Sequence, residues 1–141
     1  MSQFVFTIHF IILFLVASLH IYWALGGKID SLAVLPQTSF EKPIFLPSKF
    51  MTLIVAICFY MAALVFGSGA GFLSLSIISR FQNPLLVFLG IVFLIRAIGD
   101  FNYVGFSKKI KGTPFATNDS KYYSPLCLII SITTFLAIYF Q

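Results

Sequence analysis

Arg96 and Asp100 are four residues apart near the end of a long apolar run, Leu94-Ile95-Arg96-Ala97-Ile98-Gly99-Asp100-Phe101-Asn102-Tyr103-Val104-Gly105-Phe106. In a water-exposed helix such a pair is ordinary. Within a bilayer each charge is costly, so it must face a partner, a cavity or a ligand. An ionised arginine offers a planar fork of donors to a carboxylate or phosphate. An aspartate next to a histidine could exchange a proton, because histidine titrates near neutrality. Two histidines, His9 and His20, lie in another apolar run, with Trp23 three residues beyond His20.

The composition explains why these residues stand out. Apolar residues make up 60% of the 141-residue chain, charged residues 9%, and the mean hydropathy is +1.02. Soluble domains carry roughly 25% charged residues, so lipid must be the solvent for most of this chain. Its length suits a single domain.

Four apolar stretches read as membrane helices, about 4–26, 49–71, 84–106 and 122–140. The fold class expected is all-α, a four-helix integral membrane bundle in one domain spanning 1–141. A bilayer core of about 30 Å needs roughly 20 helical residues. Gly26 and Gly27 end the first stretch, with Tyr22 and Trp23 placed for an interfacial aromatic belt. That stretch lacks a cationic start and a cleavage site, so it reads as a retained helix rather than a signal peptide.

Pro36, Pro43 and Pro47 exclude a long helix from 28–48, leaving a loop that lies against headgroups or folds over the bundle mouth. Ser48 is placed to cap the second helix. Gly67 and Gly71 have small-xxx-small spacing, which allows close helix approach or simply ends a helix. Pro84 suits the start of the third helix and Pro125 the first turn of the fourth. Asp119 and Ser120 read as caps for that fourth helix.

Nine cations are unevenly spread. Lys28, Lys42, Lys49, Lys108, Lys109, Lys111 and Lys121 fall in the first and third loops, against Arg80 on the other side. The positive-inside rule then puts both long loops in the cytoplasm and both termini outside. The lysines near 108–111 lack the helical face and aromatic interleaving of a nucleic-acid groove, so no nucleic acid is expected.

On a continuous third helix, Arg96, Asp100 and Tyr103 share one face. Asp100 and His20 then both sit about 9 Å inside the apolar slab, from a rise of about 1.5 Å per residue. One reading is an intrahelical Arg96–Asp100 ion pair that glues the bundle. The other is a polar pocket on the lysine-rich side, walled by His20, Trp23, Arg96, Asp100 and Tyr103 and completed by Tyr123 and Ser124. His9 lies toward the other half of the membrane and reads as a satisfied core histidine. Cys58 and Cys127 have no CxxC spacing and read as buried small hydrophobes. There is no HExxH, metal-ligand cluster, GxSxG or P-loop, so no cofactor is indicated. Two separated histidines could ligate haem, but nothing else supports it.

Taken together, His20-x-x-Trp23-Ala-Leu-Gly26-Gly27, Arg96-Ala-Ile-Gly99-Asp100-Phe-Asn-Tyr103-Val-Gly105-Phe106, Thr113-Pro-Phe-Ala116, Asp119 and Tyr123-Ser124-Pro125-Leu126-Cys127 resemble the bacterial membrane-protein family known as domain of unknown function 3995. The resemblance covers nearly the whole chain. It implies a small four-helix protein of the bacterial inner membrane and brings no activity, substrate or cofactor with it.

Three functions therefore stay open. The first is binding of a lipid-like or amphipathic small molecule in the polar pocket. The second is an enzyme using His20 and Asp100 for acid–base work on a lipid or isoprenoid. The third is a structural or accessory subunit, with the polar residues meeting a membrane partner or a second copy of the chain.

Overall fold

The computed structural model describes residues 2–38, 42–74 and 76–140. Its elements are all helical: α1 Ser2–Ala24, a single turn α2 Ser31–Val34, α3 Lys49–Gly69, a short α4 Ser76–Arg80, α5 Gln82–Ile98, α6 Pro114–Asn118, a π-turn Asp119–Tyr123, and α7 Ser124–Tyr139. The π-turn joins α6 to α7, so Pro114–Tyr139 is one 26-residue helix. Among the described residues three helices are long and apolar enough to cross a membrane: Ser2–Ala24, Lys49–Gly69 and Pro114–Tyr139. At 17 residues, α5 is shorter.

Two helix pairs form the body, α1 along α3 and α5 along α7, with further contacts between α1 and α7 and between α3 and α5. The core is made of Phe6 and Leu13 from α1, Ala63 and Phe66 from α3, Leu86 and Phe93 from α5, and Ile130 and Ala137 from α7. Outward faces are just as apolar; Phe14, Ile57, Phe88, Ile95 and Ile132 are exposed. Apolar residues on both sides are what a helix shows when lipid, not water, surrounds it.

In lipid, polar contacts and close approach do more of the joining than hydrophobic burial. The Ser131 hydroxyl donates to Gly90 O at 2.8 Å, tying α7 to α5, and Ser18 meets Tyr60 at 2.9 Å between α1 and α3. His9 is buried in the middle, its Nε2 3.0 Å from Thr133 Oγ1 and its ring edge-on to Phe66. It is the satisfied core histidine the sequence suggests.

Several local expectations change. Gly67 is buried against the Phe10 ring, but Gly71 has a positive φ and nothing within 4 Å of where a Cβ would be. Of these two, Gly67 serves helix approach and Gly71 follows the helix end. Cys58 is exposed, not buried, because it falls on the outer face of α3 beside Ile57 and Met61. Ser48 caps α3 as expected, accepting from the Met51 N–H at 3.2 Å.

Two larger corrections concern the helices that carry charge. The third helix ends at Ile98, not at Phe106, since Gly99 has φ +95° and leaves the helical path. The fourth begins at Pro114, with Thr113 as its cap, not at Tyr122. Pro125 is therefore deep inside a helix, eleven residues beyond Pro114. Proline there lacks an N–H, and its ring crowds the carbonyl four residues back. The π-turn immediately before it absorbs both defects by widening the turn, so the Ser124 N–H reaches Asp119 O.

Candidate functional site

The end of the bundle that carries the two long loops holds two distinct features, a buried ionic cluster and an apolar cleft. The cluster is built on the π-turn. In an α-helix, residues five apart point well away from each other. The extra residue of a π-turn brings them round, so Asp119 and Ser124 meet, and Ser124 Oγ donates to Asp119 Oδ2 at 3.0 Å.

Asp119 is fully buried. Arg96 Nη2 donates to its Oδ1 at 2.9 Å, and Lys108 Nζ to its Oδ2 at 2.9 Å. The Gly105 N–H reaches the same Oδ2 at 2.8 Å. A buried carboxylate is tolerable only when its charge is matched and its lone pairs are filled, and here both conditions hold. Two cations against one anion leave the cluster with one net positive charge. Arg96 is the less buried of the two cations, its side chain 34% exposed, although its Nη1 is buried.

Loop 99–113 supplies the rest. Asp100 does not face Arg96. Its Oδ1 accepts the N–H groups of Asn102, Tyr103 and Val104 at 2.9, 2.7 and 2.9 Å, closing a tight turn on itself. Slight burial opposes ionisation, but the Val104, Tyr103 and Asn102 N–H groups outweigh it, so the Asp100 carboxyl sits below the usual carboxylate range. The turn brings the chain back against α5. Phe106 N donates to Ala97 O and Ser107 N to Ile98 O, which satisfies carbonyls that a helix end leaves open.

Gly99 and Gly105 make that return possible, because their backbones touch. A Cβ on Gly99 would stand 1.7 Å from Val104 O, and one on Gly105 would stand 2.4 Å from Gly99 Cα.

The expected single helical face of Arg96, Asp100 and Tyr103 thus does not exist. The helix breaks between the first and second of these residues, and Arg96 pairs with Asp119 instead of Asp100. Asp119 is not the cap of the last helix; it lies inside that helix and turns inward. Lys108, counted in the sequence as a topology lysine, is 4% exposed and belongs to the cluster. The one sequence signal that could have found Asp119 is Pro125. A proline six residues on, in a stretch apolar enough to stay helical, marks a place where the helix must widen.

The cluster is saturated at Lys108 but not at Arg96, whose Nη1 is buried without a partner among the described residues. Lys108 Nζ donates to Gly105 O, Asp119 Oδ2 and Ser120 Oγ at 2.8, 2.9 and 2.7 Å. These three contacts, one of them to the Asp119 carboxylate, hold the Lys108 side chain in place. The arrangement fastens loop 99–113 to α5 and α7. Among the described residues no group of His, Cys, Asp or Glu is placed to hold a metal ion.

The cleft lies between the end of α1, the start of α3 and the loop that joins them. It has a volume of about 360 Å³. His20 and Trp23 line it from α1, Val34, Leu35 and Phe45 from the loop, and Met51, Ile54 and Val55 from α3. His20 Nδ1 donates to Val16 O at 2.8 Å, and its ring packs against Trp23 and Phe59. The seven residues expected to wall one pocket are therefore divided. His20 and Trp23 line the cleft, Arg96 and Ser124 join the cluster, and Asp100 and Tyr103 form the turn.

Tyr123 links cluster and cleft. Its hydroxyl and Asn118 Nδ2 both donate to Ala33 O, each at 3.3 Å, and so hold α2 against the helix that carries Asp119. Tyr123→Phe combined with Asn118→Ala is expected to release α2. Amide exchange at residues 31–35 should then rise several-fold while exchange in α5 and α7 stays unchanged. Equal protection in both proteins would show that apolar packing alone holds α2.

The sequence pattern of a family described as "Protein of unknown function (DUF3995)" matches residues 13–134. The chain belongs to this family. The matched span includes every residue of the ionic cluster and cleft named above. No curated protein and no solved structure matches the chain.

Proposed function

We propose that this DUF3995 protein is a multi-pass integral membrane protein that binds a lipid-like, amphipathic small molecule in the cleft between α1 and α3. Its four long helices, α1, α3, α5 and α6–α7, cross the bilayer. The lysine-rich loops face the cytoplasm, and the far ends of α1 and α7 face the opposite side. Among the described residues, α5 would cover only about 26 Å at 1.5 Å per residue. Its preceding turn α4 and the Asp100 loop extend it toward both interfaces.

The observation that carries the binding reading is the cleft itself. Ligand cavities run from about 300 to 1,000 Å³ and are mostly apolar, with a few polar groups. The cleft fits that description, with His20 and Thr52 among apolar neighbours. The acid–base reading is weakened by geometry, since Asp100 is spent on its own backbone turn and does not line the cavity that His20 lines.

The test is to fill the cleft. Ile54→Trp adds an indole to a wall residue that is 45% exposed and so has room to accept it. Mass spectrometry of the purified protein should show a co-purifying amphiphile with wild type. At least a ten-fold lower occupancy is expected with the variant, at unchanged thermal stability. Undiminished occupancy in the variant would sink the proposal.

A further inference from the structure

We infer that the cleft takes a single-chain amphiphile with an anionic head, and that Lys49 receives the head. The inference rests on the binding reading above and adds the chemistry of the ligand. A second chamber of about 90 Å³ adjoins the cleft and shares Trp23, Ile29, Leu35, Pro47 and Thr52 with it. Lys49 lines this chamber and not the larger one.

The division is chemical as well as spatial. Little in the main chamber can solvate a charge: the Thr52 hydroxyl is already donated to Ser48 O at 3.1 Å, and the His20 Nδ1 proton to Val16 O. An apolar chain fits there and a charged head does not. Lys49, in contrast, is exposed, and among the described residues no carboxylate lies within 4 Å of it. The nearby Asp30 carboxylate accepts the Ala33 N–H at 3.3 Å, capping α2. On the same loop Lys28 and Lys42 are matched in number by Asp30 and Glu41, so the segment 28–49 carries one net positive charge. A chain in the large chamber thus places its head at the small one, which the Lys49 side chain lines.

Size limits the ligand to one chain, since about 360 Å³ is near the lower end of cavities that hold small molecules. A carboxylate on a fatty chain and a phosphate on an isoprenyl chain both satisfy these requirements.

Trp23 gives a direct readout, because it is the chain's single tryptophan and lines both chambers. The full chain in nanodiscs of zwitterionic phosphatidylcholine would be titrated with palmitate, farnesyl phosphate and hexadecanol, following Trp23 emission. At least one of the two anionic ligands should bind ten-fold or more tighter than hexadecanol, and the better of them identifies the head as carboxylate or phosphate. Lys49→Gln should erase that advantage and Lys49→Arg should keep it. Equal affinity for the anionic and neutral ligands, or an advantage that survives Lys49→Gln, overturns the anionic-head inference and leaves the cleft reading standing. No change in Trp23 emission with any of the three overturns both.

Discussion

Asp119→Ala is expected to destabilise the bundle by about 3–5 kcal/mol, the range for removing one partner from a buried ion pair. The substitution leaves the buried Lys108 ammonium without its carboxylate and does the same to the inward end of Arg96. It also strips the acceptor from the Gly105 N–H and the Ser124 hydroxyl. Leaving a buried donor without a partner costs more than the made bond contributes, because the group has given up water for nothing. Thermal unfolding in a fixed detergent would measure the loss, and protease sensitivity within 99–113 would show where it begins.

A companion variant separates charge from shape. Asp119→Leu with Lys108→Met removes an anion and a cation together and should recover a substantial part of the loss, since the penalty lies in the unmatched charge. Arg96 is partly exposed and can turn its guanidinium toward the interface. If Asp119→Ala unfolds within about 1 kcal/mol of wild type, the cluster does not hold the loop as the geometry indicates.

Gly99→Ala is expected to cost several kcal/mol, although it adds one methyl group. Two effects combine. A φ of +95° with ψ −169° lies in a region that is essentially glycine-only and disfavours any residue with a Cβ, by about 1–3 kcal/mol. The added carbon would also stand 1.7 Å from Val104 O, a backbone atom that no change of rotamer can move aside. The return of residues 105–107 onto the end of α5 would have to open, exposing the carbonyls of Ala97 and Ile98.

Gly71→Ala is the matched control. Its φ is +85°, but nothing lies within 4 Å of the added carbon. It should therefore lose only the conformational part, about 1–2 kcal/mol. Similar losses at the two positions, measured by unfolding under one set of conditions, would mean that the loop relaxes freely and that contact between Gly99 and Val104 is not a constraint.

Much of this architecture is legible from local pattern. Unbroken apolar runs place α1 and α3 to within a few residues, because crossing lipid imposes length and composition on each helix separately. Ser48 reads correctly as a cap because a cap is a contact across three residues. The third helix misleads for the same local reason. Leu94 to Phe106 stays apolar enough to continue, and the Arg96–Asp100 spacing fits a helical pair. Nothing nearby reveals that Asp100 turns back on Asn102, Tyr103 and Val104, since the glycines that permit the turn, 99 and 105, act by touching each other. Pro125 misleads in the opposite direction. A proline early in an apolar run suggests a helix start, yet the helix begins at Pro114 and takes the proline in its stride by widening.

The sequence by itself determined the apolar, helical character and the lysine-rich segments, because hydropathy and charge are sums over neighbouring residues, and its motifs carried the family resemblance. It also marked Arg96 as a residue that must find a partner. Which carboxylate answers it was a tertiary matter. Asp100 is nearer along the chain, but a short exposed turn satisfies it with backbone N–H groups. Asp119, 23 residues away, is swung inward by the π-turn into a place from which water is excluded. There an unpaired charge is most costly, and so Arg96 and Lys108 are both drawn to it. The same folding separates His20 and Trp23 from the ionic residues and leaves them lining an apolar cleft that their spacing alone does not describe.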